Sequence, residues 1–328
     1  MTARPEITLF TGQTVPRLGF GCWAIGGPYW LDATPRGWGE VDDEESVRAI
    51  HRGLDLGIRV FDTADVYGAG HSERVLGRAL RGRRDVFVAT KVGNAFDEAK
   101  RQVLGPNPDP AYIRAACEAS LQRLGRDVID LYQLHIGVLS VEEARPVRDV
   151  FEELVQKGRI RAYGWSTDDP ARSESWQGGA SFRAIQFDMN IMTPAPESVR
   201  LAEKLDLMAL IRSPLAMGFL SGKFRPGHQF DKADIRGSSV PWLKPFKDGK
   251  LNPDFVAKLD AVIALLSAGG RTPVQGALGW IWGMSRATLP IPGFRTVAQA
   301  SENAAALDFG PLPADTIAEI NMVLGNGA

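Results

Sequence analysis

Eight short apolar runs punctuate the chain, and the longer stretches between them carry hydrophobic residues at helical spacing. The runs are LGFGCW (18–23), RVFDTA (59–64), DVFVATK (85–91), VIDLYQLH (128–135), RAYGWS (161–166), AIQFDMN (184–190), LMALIRS (207–213) and TLPIPG (288–293). They are apolar or β-branched almost throughout, as strands covered on both faces of a parallel sheet are. The intervening segments start and stop like helices. Asp42-Asp43 opens one that carries Val47, Ile50 and Leu54 and ends at Gly57. Asp109-Pro110 opens another, with Ile113, Cys117, Leu121 and Leu124 as its stripe and Gly125 as its stop. Ser140 with Glu143, and Thr296 with Gln299, have capping-box spacing. Strand–helix alternation repeated eight times predicts a (β/α)8 TIM barrel. Ahead of it, ITLFTGQTVPRL reads as an N-terminal β-hairpin. No break in composition marks a second domain, so residues 1–328 are read as one. The stretch 223–253, rich in Gly, Pro, Lys and Asp, is irregular and follows the seventh strand, as a cover for a cofactor or substrate would.

Composition narrows this picture by exclusion. The 328 residues are 44% hydrophobic and 23% charged, with a formal net charge of −1. A near-neutral chain lacks the basic footprint of a nucleic-acid or anionic-membrane partner. There is no 18-residue apolar run and no signal-peptide core. Cys22 and Cys117 make neither a disulfide framework nor a zinc spacing. Reduced, buried thiols in a cytoplasmic protein are expected, and no metal site is.

The chemistry lies where the runs end. In barrels of this kind, catalytic groups come from the C-terminal ends of several strands. Strand two ends in Asp62, strand three in Lys91 and strand four in His135, while Tyr67 follows in the loop after strand two. A lysine at an apolar rim tends to lose its proton unless paired, and Asp62 on the neighbouring strand is its expected partner. A charged ammonium beside Tyr67 is expected to lower the phenol from about 10, making it a general acid. His135 is placed to donate a hydrogen bond to a substrate oxygen. His51, His71 and His228 lie away from strand ends and are expected to do no chemistry. Asp65 is expected to cap a helix or loop.

At this point the chain resembles the aldo-keto reductase family, over nearly its whole length. The stretches that carry the resemblance are FDTADVYGAGHSE, VATKVG, DLYQLH, YGWST, IQFDMN, RSPLAMGFLSGK and LPIPGFRTVAQASEN, in the family's order. The resemblance implies a barrel that binds NADPH across its C-terminal rim, and a catalytic tetrad of Asp62, Tyr67, Lys91 and His135. The loops after strands seven and eight are common phosphate sites in barrels. Here they offer Ser213, Leu215, Gly218 and Lys223, then Gly293, Phe294 and Arg295. Arg295 suits a 2′-phosphate. By similarity, Gln299 and Asn303 contact the adenosine end, and Ser166 and Gln186 hold the nicotinamide carboxamide. Thr167 stands where the family often has Asn, Gln299 where it often has a phosphate-binding Arg, and Arg212 where an aromatic residue usually stacks on the nicotinamide. The expected cofactor is NADP(H), with NAD(H) open. Trp23 matches a position near the substrate carbonyl and the cofactor, and Tyr29, Trp30 and Trp38 lie in the glycine-containing loop that follows. Trp23, Tyr29 and Trp30, with Tyr67 and His135, are the expected pocket for a flat or sugar-like carbonyl or alcohol, the alternative being that the loop aromatics pack that loop onto the barrel. The expected activity is hydride transfer between the cofactor and an aldehyde or ketone, with Tyr67 as acid or base. The rival is a nicotinamide-binding regulatory or chaperone subunit on the same fold, against which the intact tetrad weighs.

Overall fold

The computed structural model of the chain describes residues 4–224, 227–238, 240, 243 and 245–325. Its centre is a sheet of eight parallel strands: β1 (Gly19–Gly21), β2 (Val60–Asp62), β3 (Phe87–Val92), β4 (Ile129–Leu134), β5 (Ile160–Ser166), β6 (Phe182–Asp188), β7 (Met208–Arg212) and β8 (Thr288–Pro290). Each pairs with its neighbour in sequence. A parallel bridge between Gly21 and Gly293, with Gly21 N donating to Pro292 O at 3.0 Å, brings the last strand back to the first. All eight apolar runs are thus barrel strands, with ends shifted by no more than three residues.

The first helices start as the sequence requires. Asp42 accepts from the N–H groups of Glu44 and Glu45 at the head of α1 (Asp43–Asp55). Gly70 precedes α2 (His71–Ala79). Asp109 caps α3 (Pro110–Leu124), which Gly125 ends in the left-handed region, and Ser140 and Glu143 make a complete capping box on α4 (Val141–Gln156). The remaining barrel helices are α5 (Pro170–Glu174), α6 (Pro196–Lys204), α7 (Pro273–Met284) and α8 (Val297–Ala305). The second expected box is only half formed. Thr296 accepts from Gln299 N, but the Gln299 side chain accepts instead from Arg295 N at 2.8 Å, tying the cap to the loop before it.

Period-two alternation decides what fills the barrel. Val60, Ala89, Leu131, Ala162, Ala184, Leu210 and Leu289 form an inward apolar layer, closed from below by Leu9 and Val15 of the hairpin Glu6–Thr8/Thr14–Pro16. Two residues further along the same strands stand Asp62, Lys91, Gln133, Gln186 and Arg212, so the next layer up is polar. The alternate residues, such as Phe61, Val88, Val92 and Tyr132, pack outward against the helices.

The rim is more ordered than expected. The loops after β1 and β3 join in a four-stranded side sheet, Thr34–Pro35, Trp30–Leu31, Gln102–Pro106 and Asn94–Asp97. Within the 223–253 stretch, residues 225, 226, 239, 241, 242 and 244 lie outside the described residues. The rest carries a short hairpin, Phe246–Lys247/Lys250–Leu251, and a helical turn, Ile235–Gly237. This turn docks on the loop after β1, with Ile235 N donating to Gly37 O at 2.9 Å and Trp38 bridging Asp234.

Candidate active site

Asp62 and Lys91 meet inside the upper polar layer. Lys91 is fully buried and Asp62 nearly so, with Nζ–Oδ1 at 2.5 Å. Such a pair persists only if its remaining lone pairs and protons are satisfied. Lys91 Nζ also donates to Thr63 O at 2.8 Å and lies 3.3 Å from Tyr67 Oη. The second Asp62 oxygen accepts from Gln186 Nε2 at 2.9 Å and Gln133 Nε2 at 3.2 Å. Burial pulls the Lys91 ammonium below its ordinary range, and Asp62 opposes that shift.

Tyr67 reaches back over this pair from the loop after β2. Its ring stacks on Trp23 at 5.8 Å and meets His135 edge-on at 5.7 Å. Gly68 makes the approach possible. It has φ +62°, and a Cβ there would stand 1.8 Å from Gly26 O, so the Tyr67 loop rests directly on the loop after β1. The surroundings of the tyrosine act in the direction opposite to the one the sequence suggested. Burial pushes its hydroxyl above its ordinary range, the Asp62 carboxylate adds to the rise, and Arg212 opposes it. Asp62 takes up the Lys91 charge, so Tyr67 is a fully protonated phenol at neutral pH. Burial and the nearby Lys91 and Arg212 cations hold His135 well below its usual range, as a neutral imidazole.

A cavity of about 1240 Å³ runs from these groups across the rim. It is lined at one end by Trp23, Tyr29, Asp62, Tyr67 and His135, then by Gln186, Arg212, Ser213, Leu215, Gly218 and Lys223, and finally by Gly293, Phe294, Arg295, Gln299 and Asn303. Lys91, fully buried beneath it, does not line it, and neither do three residues expected at the cofactor or substrate. Ser166 is buried beside Gln186, at 3.5 Å from its Oε1. Thr167 donates to Gly137 O at 2.7 Å, and Trp30 is built into the side sheet opposite Gln102. Others line it with their polar groups already engaged. Gln186 turns its amide toward Asp62. Arg212 pairs with Asp168 and lies 3.9 Å from Asp188. Arg295 donates to Trp38 O at 3.0 Å and to Glu40 O.

After β7 the backbone turns through left-handed conformations at Ser213, Ala216, Met217 and Gly218, with φ of 52°, 47°, 58° and 87°. Ala216 N and Gly218 N donate within the turn, to Ser213 O and Leu215 O at 2.9 Å each, and Lys223 stands exposed beyond it, a cation for an anionic group. The cavity's volume, and its lining from Tyr67 to Asn303, leave room for a dinucleotide.

Sequence reading missed Gln133, a polar residue inside an apolar run two places before His135; its mid-strand position was the signal. It also missed Arg36, Asn94, Asp168, Asp188 and Arg236, which come to the cavity only through the fold. Asp65 makes no side-chain helix cap among the described residues. Its carboxylate is fully buried with no hydrogen bond of ordinary geometry; burial, then Glu73, raises it well above the usual range, with Arg123 and the Val66 amide opposing. His71 pairs with Asp43 at 2.8 Å, and His51 meets Ala79 O at 2.9 Å. Both cysteines are buried and free. Among the described residues no cluster of three or more His, Cys, Asp or Glu could hold a metal, and no helix is long and apolar enough to cross a membrane.

Comparison with known proteins bears on the same stretches. The Aldo/keto reductase family model matches residues 17–324. The chain is 30% identical to the aldo-keto reductase YhdN of Bacillus subtilis, over 96% of this chain and 92% of that one. It superposes on the glycerol dehydrogenase of Gluconobacter oxydans with a TM-score of 0.81, at 30% identity over 99% of this chain and 96% of the other. The holo form of an aldo-keto reductase from Bacillus halodurans gives 0.77, at 28% identity over 98% and 96%.

Proposed function

The chain belongs to the aldo/keto reductase family, and from that premise we propose that it interconverts an aldehyde or ketone and its alcohol with NADP(H), using Tyr67 to move the proton. The observation that carries this reading is the Asp62–Lys91–Tyr67–His135 cluster at one end of a cavity with the volume to take a dinucleotide. NADPH, bound along the rim, would supply the hydride. Its phosphates are assigned to the turn Ser213–Gly218 with Lys223, and its far end to Gln299 and Asn303. The 2′-phosphate is assigned to Arg295, whose two terminal nitrogens would then exchange the Trp38 and Glu40 carbonyls for phosphate oxygens.

At the carbonyl end the protein's own groups divide the work. Tyr67, protonated, donates to the oxygen that accumulates negative charge. The Lys91 ammonium, 3.3 Å from that hydroxyl, stabilises the phenolate left behind. Asp62 fixes Lys91, and Gln133 and Gln186 fix Asp62, so the proton donor is held by an ordered chain of contacts. The neutral His135 can donate one hydrogen bond to the same oxygen without adding charge. Trp23, stacked on Tyr67, excludes water from one side of the ring.

The test is spectrophotometric. Purified protein should oxidise NADPH in the presence of aldehydes or ketones and reduce NADP+ with the matching alcohols. Tight NADPH binding without turnover across a broad carbonyl and sugar panel would leave a nicotinamide-binding subunit instead. Arg295→Ala should weaken NADPH binding much more than NADH binding, and equal losses would remove Arg295 from the 2′-phosphate.

A further inference from the structure

The cations around the cavity are almost all accounted for. Lys91 is held by Asp62, Arg212 by Asp168, and Arg236 by a two-pronged contact with Asp234. Arg295 is spent on backbone carbonyls. Arg36 is different. It lines the same cavity and is half-buried, yet its guanidinium has no acid or carbonyl partner among the described residues.

Its backbone is fixed against the catalytic end. Arg36 N donates to Tyr29 O at 2.8 Å, and Trp23 Nε1 donates to Arg36 O at 3.0 Å. The same indole N–H lies 2.9 Å from Tyr29 Oη. Tyr29 is 4% exposed, and its phenolic proton has no acceptor among the described residues. Trp23 in turn stacks on Tyr67, so the Tyr29 hydroxyl and the Arg36 backbone stand one ring away from the proton-transferring hydroxyl, and the Arg36 charge is felt at the Tyr29 hydroxyl. The charges nearby cancel, Asp62 against Lys91 and Arg212 against Asp168, while His135 is neutral. A guanidinium in that setting, partly withdrawn from water, favours a planar or tetrahedral oxyanion over a neutral group.

We propose that Arg36 and the Tyr29 hydroxyl form an anion-recognising subsite beside the tetrad, so that the preferred substrates are aldehydes or ketones bearing a carboxylate or phosphate. This rests on the carbonyl-oxidoreductase reading above. The turn at Ser213–Gly218 and the Gly293–Asn303 segment serve the cofactor at the other end of the cavity, which leaves Arg36 for the substrate.

Matched substrate pairs test it: succinic semialdehyde against butanal, and glyceraldehyde 3-phosphate against glyceraldehyde. The wild-type protein is expected to favour the charged member of at least one pair by roughly 10- to 100-fold in kcat/KM, the range that charge-assisted hydrogen bonds imply. The pair that responds says whether carboxylate or phosphate is read. Arg36→Ala should lose at least about tenfold more on the charged member than on its neutral partner, chiefly through KM, and Arg36→Lys should recover part of that loss. No charge preference, or equal losses on both members, overturns the subsite. Calorimetric titration of the NADP+-loaded protein with succinate and with inorganic phosphate keeps the two readings apart. Binding that Arg36→Ala abolishes supports the subsite even if no carbonyl turns over, in which case only the oxidoreductase reading falls. No binding of either anion, in a protein that reduces butanal, overturns the subsite alone.

Discussion

One stretch of thirteen residues, Phe61 to Glu73, feeds two buried ion pairs on opposite sides of the same strand. Inside the barrel Asp62 holds Lys91; outside it Glu73 holds Arg123 Nε at 2.6 Å and accepts from Thr90 Oγ1 at 2.6 Å. Thr90 and Lys91 are neighbours in β3, so strand alternation alone sends one to each pair. Both acids are almost completely buried. The difference is what lies beyond. The outer pair is sealed between α2, α3 and β3. The inner pair ends on Tyr67, a group with a transferable proton that faces a cavity. A buried ion pair is therefore a poor sign of chemistry by itself. The third partner and its access to a ligand make it one.

The largest expected effect tests that distinction at its outlet. Tyr67→Phe keeps the ring that stacks on Trp23 and removes only the proton donor. Carbonyl reduction should fall by about 10³-fold, within the range general acid catalysis contributes, while NADPH affinity by fluorescence titration stays within about twofold. Activity close to wild type would detach the inner pair from catalysis. The outer pair should respond in the other currency. Glu73→Gln leaves Arg123 without its counter-ion and should cost about 3–5 kcal/mol in denaturant unfolding, with turnover per folded molecule little changed. A loss of turnover as deep as that of Tyr67→Phe, with stability intact, would erase the contrast.

A smaller effect concerns pH. Burial raises the Tyr67 hydroxyl, so the acid form persists through neutral and mildly alkaline solution. Reduction should be flat in kcat/KM between about pH 6 and 9, because its donor stays protonated. Alcohol oxidation needs the phenolate and should climb toward tenfold per pH unit over the same range. A reductive rate that falls with a midpoint near 7 would restore the lowered phenol that the sequence suggested.

That expectation failed for a physical reason, and the other misses resemble it. The eight strands, the capped helices and the gathering of Asp62, Lys91 and His135 at one rim were legible because each rests on local signals: an apolar run, a cap, a polar residue at a strand end. The sign of the Tyr67 shift was not. It depends on how completely Asp62 cancels Lys91 and on how deeply the loop from Gly26 covers the ring, and both are set by contacts between distant segments. Gln186 was legible as a rim residue, whereas the contact of its amide nitrogen with Asp62 appears only in the closed barrel. Arg212 and Arg295 were legible as cations, whereas their engagement by Asp168 and by the Trp38 and Glu40 carbonyls was not. The side sheet joins two loops about 70 residues apart and leaves no periodic trace in either.

Asp65 gives the smallest and most specific test, since it lies between the two pairs and belongs to neither. Its carboxyl is buried with no hydrogen bond of ordinary geometry, and Glu73 lies near enough to discourage its ionisation. A carboxyl whose folded-state pKa is raised adds most to stability below the ordinary aspartate range of about 3.9. That contribution is lost as pH rises toward the raised value, because the unfolded chain gives up its proton first. Asp65→Asn removes the titration while keeping the shape. Its melting temperature relative to wild type should therefore rise as pH goes from about 4 to 8, by about 2–4 °C for each kcal/mol of the linkage. A difference that stays constant over that range would mean that Asp65 ionises normally in the folded protein. The loop beneath Tyr67 would then hold a charge with a partner of its own, and the contrast between one satisfied pair and one unsupported acid would fall.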